Sequence, residues 1–264
     1  MKIEVSFITT VKNAEVFIKE TIESVQKQTL GKWEYIIVDD GSTDNTIEVV
    51  KSICENDNRI KLITTGGIGR GKALNLAIEN TSGKYIANID VDDPSHPQRA
   101  QFQKKFLDDN REYSLSVTQS IYIVEDEKVS WELYNSNSIS LEAVDITTTR
   151  NKPFRKEAIN HSSVMFKKSD LINIGKYDES RSIQFDAELF NRFSFKGYKI
   201  ALIPMKLATK RMHSNQSFEA GNRVKYLASA LELNKNKIKF LNLPPVYYVY
   251  IYILSFFMAF YLKS

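Results

Sequence analysis

Hydrophobic residues recur along this chain with two periods, and the two alternate. Residues 3–10 (Ile-Glu-Val-Ser-Phe-Ile-Thr-Thr) form a short apolar run ending in hydroxyls, which predicts a buried strand. Phe17, Ile18, Ile22 and Val25 then fall at helical spacing and predict a helix over about 14–28. Trp33–Val38 predicts a second strand; Gly41 permits a sharp turn, and Ser42 or Thr43 can cap a helix running to Cys54. Ile60–Thr64 predicts a third strand, Ala73–Asn80 a helix, and Tyr85–Ile89 a fourth strand. Strand and helix in alternation, joined by short connections, predict βαβ units: an α/β fold with a mostly parallel sheet and helices on both faces.

Beyond a helix near Arg99–Leu107 the pattern changes. Tyr113–Val124 and Lys128–Tyr134 read as a hairpin around Glu125-Asp126-Glu127. Residues 135–160 are rich in Asn, Ser and Thr without a clear period, as in a lid or other functional loop. His161–Lys167 predicts a strand, Ser169–Asp178 a short helix and turn, Gln184–Lys196 a helix, and Tyr198–Ile203 a last strand. The expected organisation is a catalytic body over residues 1–222, with a nucleotide-binding half (1–110) and an acceptor half (111–222), followed by a tail over 223–264.

Charge changes the picture at the tail. The whole chain carries a net charge of +4, but residues 1–222 hold 30 basic and 31 acidic side chains, while 223–264 hold six basic and one acidic. A neutral body argues against a nucleic-acid-binding face. After Pro244-Pro245, residues 246–262 are aromatic and aliphatic except for Ser255. A helix of that length spans ~26 Å, short of the ~30 Å hydrocarbon core, and its tyrosines suit the interface. The tail is expected to anchor peripherally or marginally at the cytoplasmic face of the cell membrane, its lysines on anionic headgroups; the competing reading is a helix buried at a subunit interface. One cysteine, Cys54, excludes an intrachain disulfide framework, and no secretory signal precedes the first strand.

The candidate chemistry sits at strand ends. Asp90-Val91-Asp92-Asp93 follows the fourth strand, and three carboxylates in four residues repel unless a cation lies among them. A divalent ion such as Mg²⁺ or Mn²⁺ fits, although a solvated, helix-capping turn competes nearly evenly on these residues alone. Asp39-Asp40 ends the second strand; one acid is expected to hold the turn and the other to accept from a base N–H or a ribose hydroxyl. Gly66-x-x-x-x-Gly71-Lys72 matches a phosphate-binding loop until Ala73, where the motif needs Ser or Thr for the metal. That position decides against a Walker-type hydrolase, leaving a cationic loop with Arg70 and Lys72 or an ordinary flexible turn. His96 reads as a surface or capping residue, and His161 as either a structural hydrogen bond or an acceptor contact.

The ordered set Val5–Thr10, Glu20–Thr29, Ile37–Asp44 and Gly83–Asp93 resembles family 2 glycosyltransferases of the GT-A fold, densely over residues 3–100. Thinner likeness continues through 160–165, 175–179 and 185–192. The resemblance implies that Thr10 and Asp40 contact the nucleotide and that Asp90 approaches the ribose; the glycine loop's own charges put Lys72 near the phosphates. It implies that Asp92 binds Mn²⁺ or Mg²⁺ and that Asp186 is the catalytic base. Phe185 stands where the family usually has Glu. Arg211–Ser217 resembles the family's mobile loop, whose His213 would reach the metal, and His161 would lie on the acceptor side.

These assignments describe an inverting displacement: a metal neutralises the departing diphosphate while a separate carboxylate deprotonates the incoming hydroxyl. The implied donor is a nucleotide-diphosphate sugar, with UDP-sugar favoured, and the acceptor is a saccharide or lipid-linked hydroxyl in surface-polysaccharide synthesis. A phosphate-loop hydrolase and a catalytically inactive nucleotide-sugar-binding partner are the rival readings.

Overall fold

The computed structural model describes residues 2–135, 141–149, 159–213 and 223–261, with 223 and 254–261 as backbone only. The first half alternates β1 (Val5–Val11), α1 (Ile18–Gln26), β2 (Trp33–Asp39), α2 (Thr46–Cys54), β3 (Ile60–Thr64), α3 (Arg70–Glu79), β4 (Tyr85–Asn88) and α4 (Arg99–Asp109). Then come β5 (Tyr113–Val124), β6 (Val144–Asp145), β7 (Met165–Lys167), α5 (Lys168–Asn173), α6 (Phe185–Phe195), β8 (Lys199–Met212), α7 (Arg223–Phe240) and α8 (Val246–Tyr261). The described strands form one sheet in the order β3-β2-β1-β4-β7-β5-β8-β6. β3, β2, β1 and β4 run parallel, as do β5 and β8, whereas β7 and β6 run antiparallel to their neighbours.

Alternation along each strand divides the interior in two. Ile8, Ile36, Val38 and Ile86 face a core closed by Ala73, Leu74 and Ala77 of α3 and Leu189, Phe190 and Phe193 of α6. Phe7, Tyr35, Ile37 and Tyr85 face the other, closed by Ile18, Ile22 and Val25 of α1 and by Ala100 and Phe106 of α4. Both faces of the central strands are dry, which is why they read as continuous apolar runs. Gly83 is required by contact: a Cβ there would lie 2.7 Å from the Ser6 backbone nitrogen. Gly41 turns at φ +86°, with its missing Cβ 3.2 Å from Gly67 N.

Three expectations are corrected. Residues 128–134 are not a strand and make no hairpin: the partner of β5 along its whole length is β8, with β7 beside Leu115 and Ser116. The segment docks instead through Gln98, whose amide exchanges hydrogen bonds with the Tyr134 backbone at 2.9 and 2.7 Å. His96 is buried, not at the surface: Nδ1 accepts from Gln98 N at 3.0 Å, and Nε2 lies 3.0 Å from the Glu132 carbonyl. His161 opens a 3₁₀ turn (His161–Ser163) rather than a strand. Two further elements differ in extent. α3 starts three residues early, at Arg70, and β8 runs on to Met212, so Arg211 and Met212 belong to the sheet. Ser214–Ser217 and much of the 135–160 loop lie outside the described residues.

The expected boundary at 222/223 falls where α7 begins, and α7 packs on the body. Arg181 pairs with Glu232 at 2.6 Å, and Phe195 stacks on Phe240 at 4.3 Å. Among the described residues, no helix is long and apolar enough to cross a membrane.

Candidate active site

The order of strands reverses between β1 and β4, and the crevice at their carboxyl ends is the usual ligand seat of such a sheet. Half-buried Thr10 lies near the end of β1, and Asp90 and Asp92 follow β4. Asp39 holds the turn after β2, its Oδ1 accepting from Gly41 N at 3.1 Å and Ser42 N at 3.0 Å. Asp40 serves the glycine loop. Its Oδ1 accepts from Ile68 N at 2.6 Å and Thr65 Oγ1 at 2.8 Å, and its Oδ2 from Gly69 N at 2.9 Å. Amides that would cradle phosphate in a Walker loop are thus aimed at a carboxylate, and Ala73 is wholly buried.

Arg70, on the first turn of α3, reaches the acids. Its Nη2 donates to Asp90 Oδ1 at 2.8 Å, and its guanidinium lies 5.1 Å from the centre of the Phe185 ring. Burial works against this cation, but the carboxylates of Asp90, Asp186 and Asp92 raise its pKa above the ordinary value. Those three acids therefore share one electrostatic neighbourhood. Lys72 does not join them: it is exposed, and residues two apart on a helix point about 200° from each other. One cation of the loop can face the crevice, and only helical phase distinguishes which.

Asp90 is bonded through Oδ1, by Arg70, by Asn88 Nδ2 at 3.3 Å and beside His161 Nδ1 at 3.2 Å. Burial opposes its ionisation, yet Arg70 and His161 hold the carboxyl well below the usual range. The other nitrogen of His161 lies 2.8 Å from the Tyr177 hydroxyl, and the ring is 6 % exposed. Both nitrogens of His161 are engaged within the protein, as in the structural one of its two expected roles. Asp93 ties the crevice together, accepting from Ser162 Oγ at 2.6 Å and Arg211 N at 2.7 Å. Burial and the neighbouring Asp92 charge push its pKa up to about 8.

Asp92 and His213 meet across the crevice, with Oδ2 and Nε2 3.0 Å apart. That spacing equals the edge of an octahedron whose bonds are about 2.1 Å, so one oxygen and one nitrogen fit adjacent positions on a divalent cation. No group of three or more His, Cys, Asp or Glu side chains able to hold a metal occurs among the described residues. The remaining ligands would have to come from a bound phosphate, as is usual for Mg²⁺-type sites. His213 stacks on Phe17 at 5.0 Å. Arg211 braces the same corner, donating to Asp92 O at 2.9 Å and Glu20 Oε2 at 2.8 Å.

Asp186 is half-buried in the first turn of α6 and makes no hydrogen bond among the described residues. Phe185 beside it packs on His161 and Tyr177, with ring centres 5.7 and 5.9 Å away. Sequence reasoning did not single out Tyr177, and it named Arg70 only as a loop charge. The position of Arg70 three residues before the buried Ala73 was the available signal.

The sequence pattern of Glycosyl transferase family 2 matches residues 6–174. The uncharacterized glycosyltransferase MJ1057 of Methanocaldococcus jannaschii is 29% identical over 238 residues, covering 88% of this chain and 80% of its own. An uncharacterized glycosyltransferase of Rickettsia felis is 42% identical over 107 residues, which is 40% of this chain and 18% of that protein. Among solved structures, S. aureus TarS 1-349 in complex with UDP-GlcNAc superposes with a TM-score of 0.66 at 16% identity, covering 90% of this chain and 70% of that one. The mannosyltransferase PcManGT of Pyrobaculum calidifontis, in complex with GDP-Man and Mn²⁺, gives a TM-score of 0.70 at 16% identity over 97% and 70%. At these identities the likeness establishes the fold, the expected α/β GT-A architecture.

Proposed function

The chain belongs to glycosyl transferase family 2, and on that premise we propose that it is an inverting transferase making a surface polysaccharide such as a capsule or O-antigen. It takes the sugar from a nucleotide-diphosphate sugar and places it on a hydroxyl of a saccharide or lipid-linked acceptor. One observation carries this reading: the Arg70 guanidinium, bonded to Asp90 at 2.8 Å, also feels the charge of Asp186, a carboxylate without a side-chain hydrogen bond among the described residues.

Each group has a task in the proposed reaction. Thr10 and Asp40 hold the nucleotide, Asp40 at the base, where Oδ2 accepts one bond and keeps a second lone pair for a base N–H. Asp90 takes the ribose hydroxyls on Oδ2, which has no bond among the described residues. His161 orients Asp90 and is thereby a positioning residue. Arg70 meets the diphosphate, with Lys72 an outer charge. Asp92 and His213 would hold Mn²⁺ or Mg²⁺, which when bound supplies Lewis-acid neutralisation of the leaving group. Asp186 accepts the proton of the acceptor hydroxyl as its oxygen attacks the anomeric carbon.

The donor assignment is tested by thermal shift with UDP and GDP, each with and without Mn²⁺. One nucleotide is expected to stabilise the chain only with metal, by ~2.7 kcal/mol at a hundredfold excess over Kd. Stabilisation by neither, or equally without metal, would count against the donor and cation assignments.

The tail supports a membrane-surface role at the inner face of the cell membrane. α8 leaves Val246, Val249, Tyr250, Tyr252 and Ile253 exposed, and Lys235 lies 5.1 Å from the Tyr252 ring centre. An apolar–aromatic face bordered by lysine suits an in-plane helix on anionic lipid. The full chain is expected to sediment with phosphatidylglycerol vesicles and much less with phosphatidylcholine ones, and Val249→Asp with Ile253→Asp to release it. Equal recovery of the variant would exclude this helix as the anchor.

A further inference from the structure

Between α6, the 178–181 loop and α7 lies a cavity of about 470 Å³. None of Asp90, Asp92, Asp186 or His213 lines it, so it is separate from the crevice at the strand ends. From α6 it takes Glu188, Asn191, Arg192 and Phe195, which repeat at three- and four-residue steps and make one helical stripe.

The carboxylates in its wall are already engaged. Glu188 uses both oxygens on Arg192, at 2.9 and 2.6 Å. Asp178 Oδ1 accepts from Ser180 N at 3.0 Å and Ser180 Oγ at 2.6 Å, while Oδ2 faces Arg181 Nε at 3.5 Å. Two side chains with donors are not engaged. Asn191 is 6 % exposed, and its side-chain amide has no hydrogen-bond partner among the described residues. Lys239 is exposed at the edge, with no ion pair among the described residues.

Beside these donors the lining is apolar. Phe195 and Phe240 stack at 4.3 Å and 19°, next to Leu233. The volume falls in the ~300–1,000 Å³ range of small-molecule sites. A cavity whose lining combines uncommitted donors with a stacked aromatic pair suits a ligand with an acceptor-rich anionic group and a ring that has an apolar face. We propose that it binds an anionic sugar unit, a hexose bearing a phosphate or carboxylate. The unit arrives either as a free monosaccharide or as one residue of a charged glycan.

The site does not depend on the transfer reading, and its test is independent of turnover. The full chain is titrated by calorimetry with glucose 6-phosphate, glucuronate, neutral glucose and a hyaluronan tetrasaccharide. Saturable binding of an anionic probe is expected, at least tenfold tighter than glucose. Monosaccharide binding identifies the free ligand as the source, and tetrasaccharide binding alone identifies the glycan. Lys239→Glu and Asn191→Leu are each expected to weaken binding at least tenfold, with thermal melting checked for both, while Asp92→Asn and Asp186→Asn leave it unchanged. The proposal is overturned if no anionic probe binds, if glucose binds equally, if a folded Lys239→Glu chain binds as before, or if Asp92→Asn abolishes binding.

Discussion

Replacing Asp186 with Asn is expected to lower kcat by about 10²–10⁴-fold, the range for loss of a positioned general base. The donor KM should stay within about threefold, because the proposed nucleotide contacts lie on β1 and just after β2 and β4 while Asp186 lies on α6. The amide keeps the shape of the carboxylate and removes its ability to take a proton. Asp186 makes no hydrogen bond among the described residues, so the substitution breaks none there, and the variant should melt at the wild-type temperature. Initial rates with the donor identified by thermal shift, run beside Asp92→Asn, separate the rivals. Asp92→Asn should remove metal-dependent nucleotide binding as well as turnover. A loss under tenfold in Asp186→Asn would assign the base elsewhere. Absence of turnover in the wild-type chain, with nucleotide binding intact, would favour the inactive-partner reading.

Arg211→Ala should cost about 3 kcal/mol of folding stability, from the several hydrogen bonds that a buried guanidinium gives up. The side chain is 1 % exposed. It donates to the carbonyls of Asp92, Glu125 and Glu127 as well as to Glu20. Removing it leaves three carbonyls with one donor fewer and the Glu20 carboxylate without its guanidinium. Arg211→Lys keeps the charge but lacks the planar fork, so an intermediate loss is expected. Urea unfolding measures both, and a loss below about 1 kcal/mol in the alanine variant would show that Arg211 does not brace the corner. Because Arg211 also holds the Asp92 carbonyl, metal-dependent nucleotide binding should weaken in both variants.

The first hundred or so residues were readable because their strands are dry on both faces and their helices are amphipathic. Val5–Val11, Trp33–Asp39 and Ile60–Thr64 fall within a residue or two of their predicted spans. The rest of the body was less readable. Val129, Trp131 and Leu133 alternate as a strand would, but that segment docks on Gln98 instead, and β8 supplies the partner for β5 from 85 to 88 residues later. His161 shows the same limit at the level of a single side chain. Its apolar flank suited either a buried hydrogen bond or an acceptor contact, and the approach of Tyr177 and Asp90 decided it.

What the amino-acid order determined by itself was the α/β alternation, the acidic ends of β2 and β4, the glycine-rich approach to α3, and the unlike composition of the tail. Each depends on residues within a few positions of one another, where spacing and backbone sterics act directly. Tertiary structure decided that Arg70, not Lys72, faces the acids. It also decided that His161 supports Asp90, that Asp92 meets His213 across 121 positions, and that Arg211 reaches Glu20 across 191. Those meetings depend on strand order and helix phase, which arise only when both faces of the sheet are buried together.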